Sequence, residues 1–196
     1  MITCMVLSAG LSRRFGSPKA LARINGDTVI GRIQKVLINS QVDEILFVLG
    51  AHAELIKPSL LNHTKVKSVY NKDYNLGQTS SFQTGLRTIS EETQGVLLLP
   101  VDFAWVSMAA IDEIIGYFRE HTPLVILPSF NGKLGHPPLF SSQLKEEFLK
   151  LDPEDGLNTV VRVHKDEIVI LPLADPGILK TFNTKKEFNR IRRFPQ

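Results

Sequence analysis

Short apolar runs alternate with stretches of helical periodicity along this chain. Ile2–Leu7, Glu44–Leu49, Val66–Tyr70, Gly95–Leu99, Leu124–Leu127 and Ile168–Leu171 read as strands. Glu44–Leu49 is almost continuously apolar, as expected of a strand covered on both faces. Between the strands, Asp27–Asn39 places Val29, Ile30, Ile33, Val36 and Leu37 on one helical stripe. Ser107–Glu120 reads as a helix opened by a capping serine. Ser80–Ile89, Gln143–Leu151 and Leu157–His164 are further helices, and Glu54–Leu61 is a weak one interrupted by Pro58. Strands and helices that alternate in this way predict an α/β fold. Its expected form is three layers, a mostly parallel mixed sheet with helices on both faces, in one domain over residues 1–196. Ligands collect at the carboxyl ends of the strands in such sheets, so the segments after each strand are where chemistry is expected.

The first of these segments is unusual. Roughly twenty residues separate the first strand from the first strong helix, where about two to six are ordinary. The segment reads Ser8-Ala9-Gly10-Leu11-Ser12-Arg13-Arg14-Phe15-Gly16-Ser17-Pro18-Lys19. Gly10 and Gly16 allow close approach of backbone N–H groups to phosphate, and Arg14 and Lys19 supply positive charge. Residues 1–26 hold Arg13, Arg14, Lys19 and Arg23 and no Asp or Glu, which suits an anionic small ligand or a solvated basic loop. The spacing matches neither G-x-G-x-x-G nor G-x-x-x-x-G-K-[ST], which argues against a dinucleotide-binding dehydrogenase and a P-loop NTPase.

Bulk properties narrow the classes further. A net charge of +3 over 196 residues is too mild to point to nucleic acid. No run of 18 apolar residues predicts a membrane span, and the short N-terminal apolar run leads into a glycine turn rather than a signal-peptide cleavage site, so a cytoplasmic protein is expected. Cys4 is the single cysteine and reads as a small core residue. Lys185, Lys186, Arg190, Arg192 and Arg193 read as the solvated face of a C-terminal helix.

The glycine segment resembles the L-A-A-G-x-S-x-R-M-G-x-P-K signature of nucleotidyltransferases with a glycosyltransferase-A-like, Rossmann-like fold, and is most similar to the molybdenum-cofactor cytidylyltransferase branch. Further similarities follow in the family's order. Asn71-Lys72-Asp73-Tyr74-Asn75-Leu76-Gly77-Gln78-Thr79-Ser80-Ser81 is similar to N-x-x-[WY]-x-x-G-x-x-S-S. Leu97–Asp102 is similar to a strand ending in a metal-binding Asp, Gly135-His136-Pro137 to G-H-P, and Asp155-Gly156 to part of G-D-x-G. The sequence departs from the family where Phe103-Ala104 follow Asp102, where Asn158 replaces an Arg, and where Asn183 stands at a metal-ligand Asp position.

The resemblance implies attack by an acceptor phosphate on the α-phosphorus of a nucleoside triphosphate, with release of pyrophosphate. It implies that Arg14 and Lys19 bind the triphosphate and that Asp102, with Asn183, holds Mg²⁺. Ser8, Ala9, Gly10, Asn71, Gly77, Ser80 and Ser81 would meet the nucleoside, and Gly135 and His136 the acceptor. Ser80 and Ser81 alternatively begin a helix, His136 alternatively fixes a turn, and Trp105 is a lid or a packing residue. CTP and a molybdopterin-type acceptor are the favoured substrates, with a molybdoenzyme or its maturation factor as a partner. Related GTP- or sugar-phosphate-using transfer, and a noncatalytic nucleotide-binding chaperone, are the alternatives.

Overall fold

In the computed structural model, which describes residues 1–192, the first strand β1 (Ile2–Ser8) lies near the middle of an eight-stranded sheet. It is flanked by β4 (Glu44–Leu49) and β6 (Gly95–Pro100), both parallel to it. Beyond β4 lies β5 (Val66–Tyr70), again parallel. On the other side β9 (Leu139–Ser141) runs antiparallel to β6 and to β7 (Val125–Phe130). The edge strand β10 (Ile168–Pro172) returns parallel to β7, and the short β8 (Lys133–Leu134) folds back on β7. A separate hairpin pairs β2 (Arg23–Ile24) with β3 (Asp27–Thr28). This is the mostly parallel mixed sheet that the hydrophobic pattern predicts.

The period-two alternation of the central strands sends side chains to opposite layers. Cys4 and Val6 of β1, Ile45 and Phe47 of β4, and Leu97 and Leu99 of β6 face α1 (Val29–Asn39), α4 (Met108–His121) and α7 (Lys185–Ile191). Met5, Leu7, Leu46, Val48, Val96 and Leu98 face α3 (Gln78–Leu86), α5 (Lys145–Lys150) and α6 (Asn158–Val163). Cys4 is buried, and burial pushes its thiol pKa up, as befits a core residue.

Helix starts follow local chemistry. The Thr28 hydroxyl accepts from Gly31 N, and Ser107 Oγ accepts from Ala110 N at 3.1 Å. The weak helix expected around Pro58 is the single turn α2 (Ala53–Ile56), followed by a 3₁₀ turn, Lys57–Ser59. The first turn expected for 143–151 is 3₁₀ over Ser142–Leu144. Lys185, Lys186, Arg190 and Arg192 are exposed on or just after α7, while Arg193 lies outside the described residues. Among the described residues no helix is long and apolar enough to cross a membrane.

Candidate active site

Because β1 and β6 are adjacent and parallel, their carboxyl ends place the glycine segment beside Asp102. The Lys19 Nζ donates to Asp102 Oδ2 and to Asn183 Oδ1, each at 2.9 Å. Arg14 donates to the same Asn183 oxygen at 3.1 Å. The Lys19 and Asp102 side chains are only 15% and 17% exposed, so this ion pair is sheltered from water. Four predicted site residues, Arg14, Lys19, Asp102 and Asn183, therefore converge on one point.

Two packing devices hold them there. Phe182 is fully buried, and its ring meets Phe15 at 5.4 Å, Phe188 at 4.8 Å and Trp105 at 5.9 Å. Phe15, from the glycine segment, thereby locks that segment to the start of α7. Trp105, whose indole N–H is buried without a hydrogen bond among the described residues, belongs to this aromatic hub and is not a lid. Asn183 is then oriented by a capping box. Glu187 accepts from Asn183 N at 2.6 Å and Thr184 N at 3.0 Å, while Thr184 Oγ1 accepts from Glu187 N. The backbone N–H of Asn183, and secondly that of Thr184, hold the Glu187 carboxyl below its ordinary pKa.

The loop itself is folded by Ser12, which has φ +50°. Its carbonyl accepts from Phe15 N and Gly16 N, and its hydroxyl accepts from Lys19 N. The N–H groups of Gly10 through Arg14 carry no hydrogen bond among the described residues. At Gly10, φ is negative and an added Cβ would touch nothing within 4 Å, so neither φ nor packing requires glycine there. Gly10, Ser12, Arg13 and Arg14 of this segment border a cleft of about 260 Å³ that Ser8, Lys19, Asp102 and Asn183 also help to line. His52 lines it too and contacts Leu11 O at 3.2 Å. The sequence reading missed His52; its signal was its place just after a buried strand, at the edge where ligands gather.

A second pocket, about 210 Å³, shares Leu7 and Gly10 with the first and is lined mostly by apolar atoms, with Ala9, Pro100 and Tyr74 among its walls. Gly77, Gln78 and Ser81 border it. Gly77 has φ +104°, a value that favours glycine, and opens α3 without a side-chain cap.

Asn71 and Ser80 do not line this pocket, contrary to the expected base contacts. Asn71 is 1% exposed and donates to Ser80 Oγ at 2.8 Å and Ser81 Oγ at 3.1 Å, while its oxygen accepts from Asp73 N. Ser80 Oγ donates to Asp73 O. Their polar groups are spent on the turn beneath the pocket. Nor do the serines cap the helix, since their hydroxyls donate to carbonyls.

Gly135 is also a packing position: an added Cβ would lie 2.7 Å from Ile178 O. His136 meets Phe103 in a tilted ring contact with centroids 4.1 Å apart, and its Nδ1 is buried without a partner among the described residues. Burial lowers the His136 pKa, partly opposed by Leu98 and Asp102, which favours the neutral ring. Neither residue lines the two pockets described.

Among the described residues no group of three His, Cys, Asp or Glu could hold a metal. Asp102 and Asn183 nevertheless offer two oxygens to one cation, the Lys19 ammonium. That sparse set suits Mg²⁺ arriving with phosphate oxygens, which commonly uses one or two carboxylates and the substrate, rather than a protein-only cage.

The sequence profile described as the MobA-like NTP transferase domain matches residues 4–168. The chain is 27% identical over 199 aligned positions to a "probable molybdenum cofactor guanylyltransferase" of Thermococcus sibiricus, covering 96% of each chain. It is 25% identical over 131 residues to a "probable UDP-N-acetylglucosamine pyrophosphorylase" of Acanthamoeba polyphaga mimivirus; the match takes in 64% of this chain and about half, 51%, of that relative's length. Among solved structures, a Methanothermobacter nucleotidyl transferase superposes with a TM-score of 0.82 at 24% identity, covering 98% of this chain and 96% of that one.

Proposed function

Since the chain belongs to the MobA-like NTP transferase family, we propose that it moves a nucleoside monophosphate from GTP or CTP to a phosphorylated, molybdopterin-type acceptor. The observation that carries this reading is the convergence of Lys19 on Asp102 and Asn183, beside the unspent N–H groups of Gly10 through Arg14. A cationic cleft joined to an apolar pocket through Leu7 and Gly10 matches a molecule with an anionic chain at one end and a flat base at the other.

The step joins an acceptor phosphate oxygen to the α-phosphorus and breaks the bond from that phosphorus to the oxygen bridging to the β-phosphate. The electron pair leaves with pyrophosphate. The acceptor is already anionic, so the main barrier is bringing two anions into line. Lys19 and Arg14 neutralise the triphosphate, and the loop N–H groups hold its oxygens. Asp102 and Asn183 would hold Mg²⁺, which supplies further neutralisation of phosphate charge when bound. Lys19 would then exchange its hold on these two oxygens for phosphate. Neutral His136, beside Phe103 and close to Asp102, would border the acceptor without adding charge.

The names of curated relatives such as that from Thermococcus sibiricus favour GTP. The resemblance of residues 7–19 favours CTP. A noncatalytic nucleotide-binding role is a second reading, favoured by the neutral Asn183 amide where a carboxylate would add charge. Pyrophosphate release with each of the four nucleoside triphosphates and a panel of phosphorylated pterin and sugar acceptors tests these readings. Acceptor-dependent release supports transfer, whereas nucleotide binding without release for any acceptor supports the second reading.

A further inference from the structure

The polar side chains at the base pocket are not equally available. Three successive residues on the first turn of α3 are committed to the fold. Thr79 Oγ1 donates to Asp155 O, Ser80 Oγ to Asp73 O, and Ser81 Oγ to Gly77 O. Ser81 Oγ also accepts from Asn71. With its hydrogen given away, the Ser81 hydroxyl can accept one more hydrogen bond but cannot donate one. Gln83, the other glutamine of α3, spends its amide on the carbonyls of Phe148 and Leu151.

Gln78 differs from all of these. It is the first residue of α3, it is exposed, it borders the apolar pocket, and its carboxamide has no hydrogen bond among the described residues. Tyr74 also borders the pocket, but a phenol offers one hydroxyl, whereas a carboxamide offers a donor and an acceptor side by side. That pair matches the adjacent O6 and N1–H of guanine in one orientation and the N4–H and N3 of cytosine in the other.

We propose that Gln78 is the specificity-determining residue that reads the hydrogen-bonding edge of the base; this rests on the nucleotidyltransferase reading of the two pockets. Ser81 contributes one acceptor, and Tyr74 and Ala9 form apolar walls. Replacing the carboxamide changes discrimination between bases, because a base edge that loses its matching donor and acceptor is disfavoured. It leaves the phosphate cleft as it is, since Gln78 does not line that cleft.

The test is competition binding of GTP, CTP and inorganic tripolyphosphate to the full chain and to Gln78→Leu, Gln78→Glu and Tyr74→Phe. Gln78 is exposed, its carboxamide makes no hydrogen bond among the described residues, and a carboxylate at a helix start is favourable, so the Gln78 variants fold. Gln78→Leu should weaken the preferred nucleotide about tenfold and leave tripolyphosphate unchanged. Gln78→Glu should move the GTP:CTP affinity ratio toward GTP by about tenfold, because a carboxylate only accepts and guanine presents two neighbouring donors, N1–H and N2–H. Tyr74→Phe should leave the ratio unchanged. An unchanged ratio in Gln78→Glu, or a ratio moved by Tyr74→Phe instead, overturns the assignment of Gln78 alone. A wild-type chain that binds tripolyphosphate but neither nucleotide overturns the nucleotidyltransferase reading with it.

Discussion

The Lys19 ammonium and the Asn183 side-chain oxygen, 164 positions apart in sequence, meet at 2.9 Å. One comes from the long loop after β1 and the other from the cap of α7, and the Phe15–Phe182 contact ties the two segments together. The two segments that line the cleft are thus joined by packing as well as by polar contacts.

Lys19→Ala and Arg14→Ala should each lose about ten- to hundredfold in turnover, the cost of one charge-assisted phosphate contact of about 1.5–3 kcal/mol. Lys19→Ala should be the more damaging, because Lys19 donates to both Asp102 and Asn183, whereas Arg14 donates to Asn183 and, among the described residues, not to Asp102. Circular dichroism should show both variants folded. Near-normal rates in both would remove this loop from the site.

Asn183→Asp should lower the Mg²⁺ concentration that gives half-maximal activity, because a carboxylate binds Mg²⁺ more strongly than an amide oxygen. Arg14 and Lys19 already face that oxygen, so the new charge is balanced. A titration of activity against Mg²⁺ reads the effect. An unchanged or raised half-saturation point removes Asn183 from the metal site.

The central sheet was legible because β1, β4 and β6 are apolar on both faces, a pattern that needs no tertiary context. The hairpin of β2 and β3 and the strands β8 and β9 were not. Each has only two or three residues and is held by neighbours the chain reaches later or earlier. In the site, the resemblance named Arg14, Lys19, Asp102 and Asn183, and these converge. It also named Asn71, Ser80 and Gly135, which face inward. A short polar residue in a turn serves the backbone or a ligand equally well on paper, and only the hydrogen-bond inventory separates the two.

Asn71→Ala should therefore act on stability. It removes a buried donor pair from Ser80 and Ser81, at a cost of about 1–3 kcal/mol in denaturant unfolding. The GTP:CTP preference should not change. A changed preference at unchanged stability would return Asn71 to the base.

At the end of α6, His164 joins α5 to the 3₁₀ turn that follows. Its Nδ1 meets Glu167 at 3.0 Å and its Nε2 meets Glu147 at 2.9 Å. Glu167 first, then Glu147, raises its pKa above the ordinary 6.5. A raised value means the folded chain holds the proton more tightly. The stabilisation is complete below the ordinary pKa and is lost as pH rises through the raised one. Between about pH 6 and 8.5 the melting temperature of the wild type should fall more than that of His164→Gln. Parallel profiles would show that the contact contributes nothing.

Transfer itself is the most direct test of the account. The full chain would be incubated with Mg²⁺, a phosphorylated pterin acceptor, and GTP or CTP labelled at the α-phosphate. The wild type is predicted to move the label onto the acceptor, and Asp102→Ala to retain nucleotide binding but leave the label in the triphosphate. Label that stays in the triphosphate with the wild type, or transfer that survives at full rate in Asp102→Ala, would contradict it.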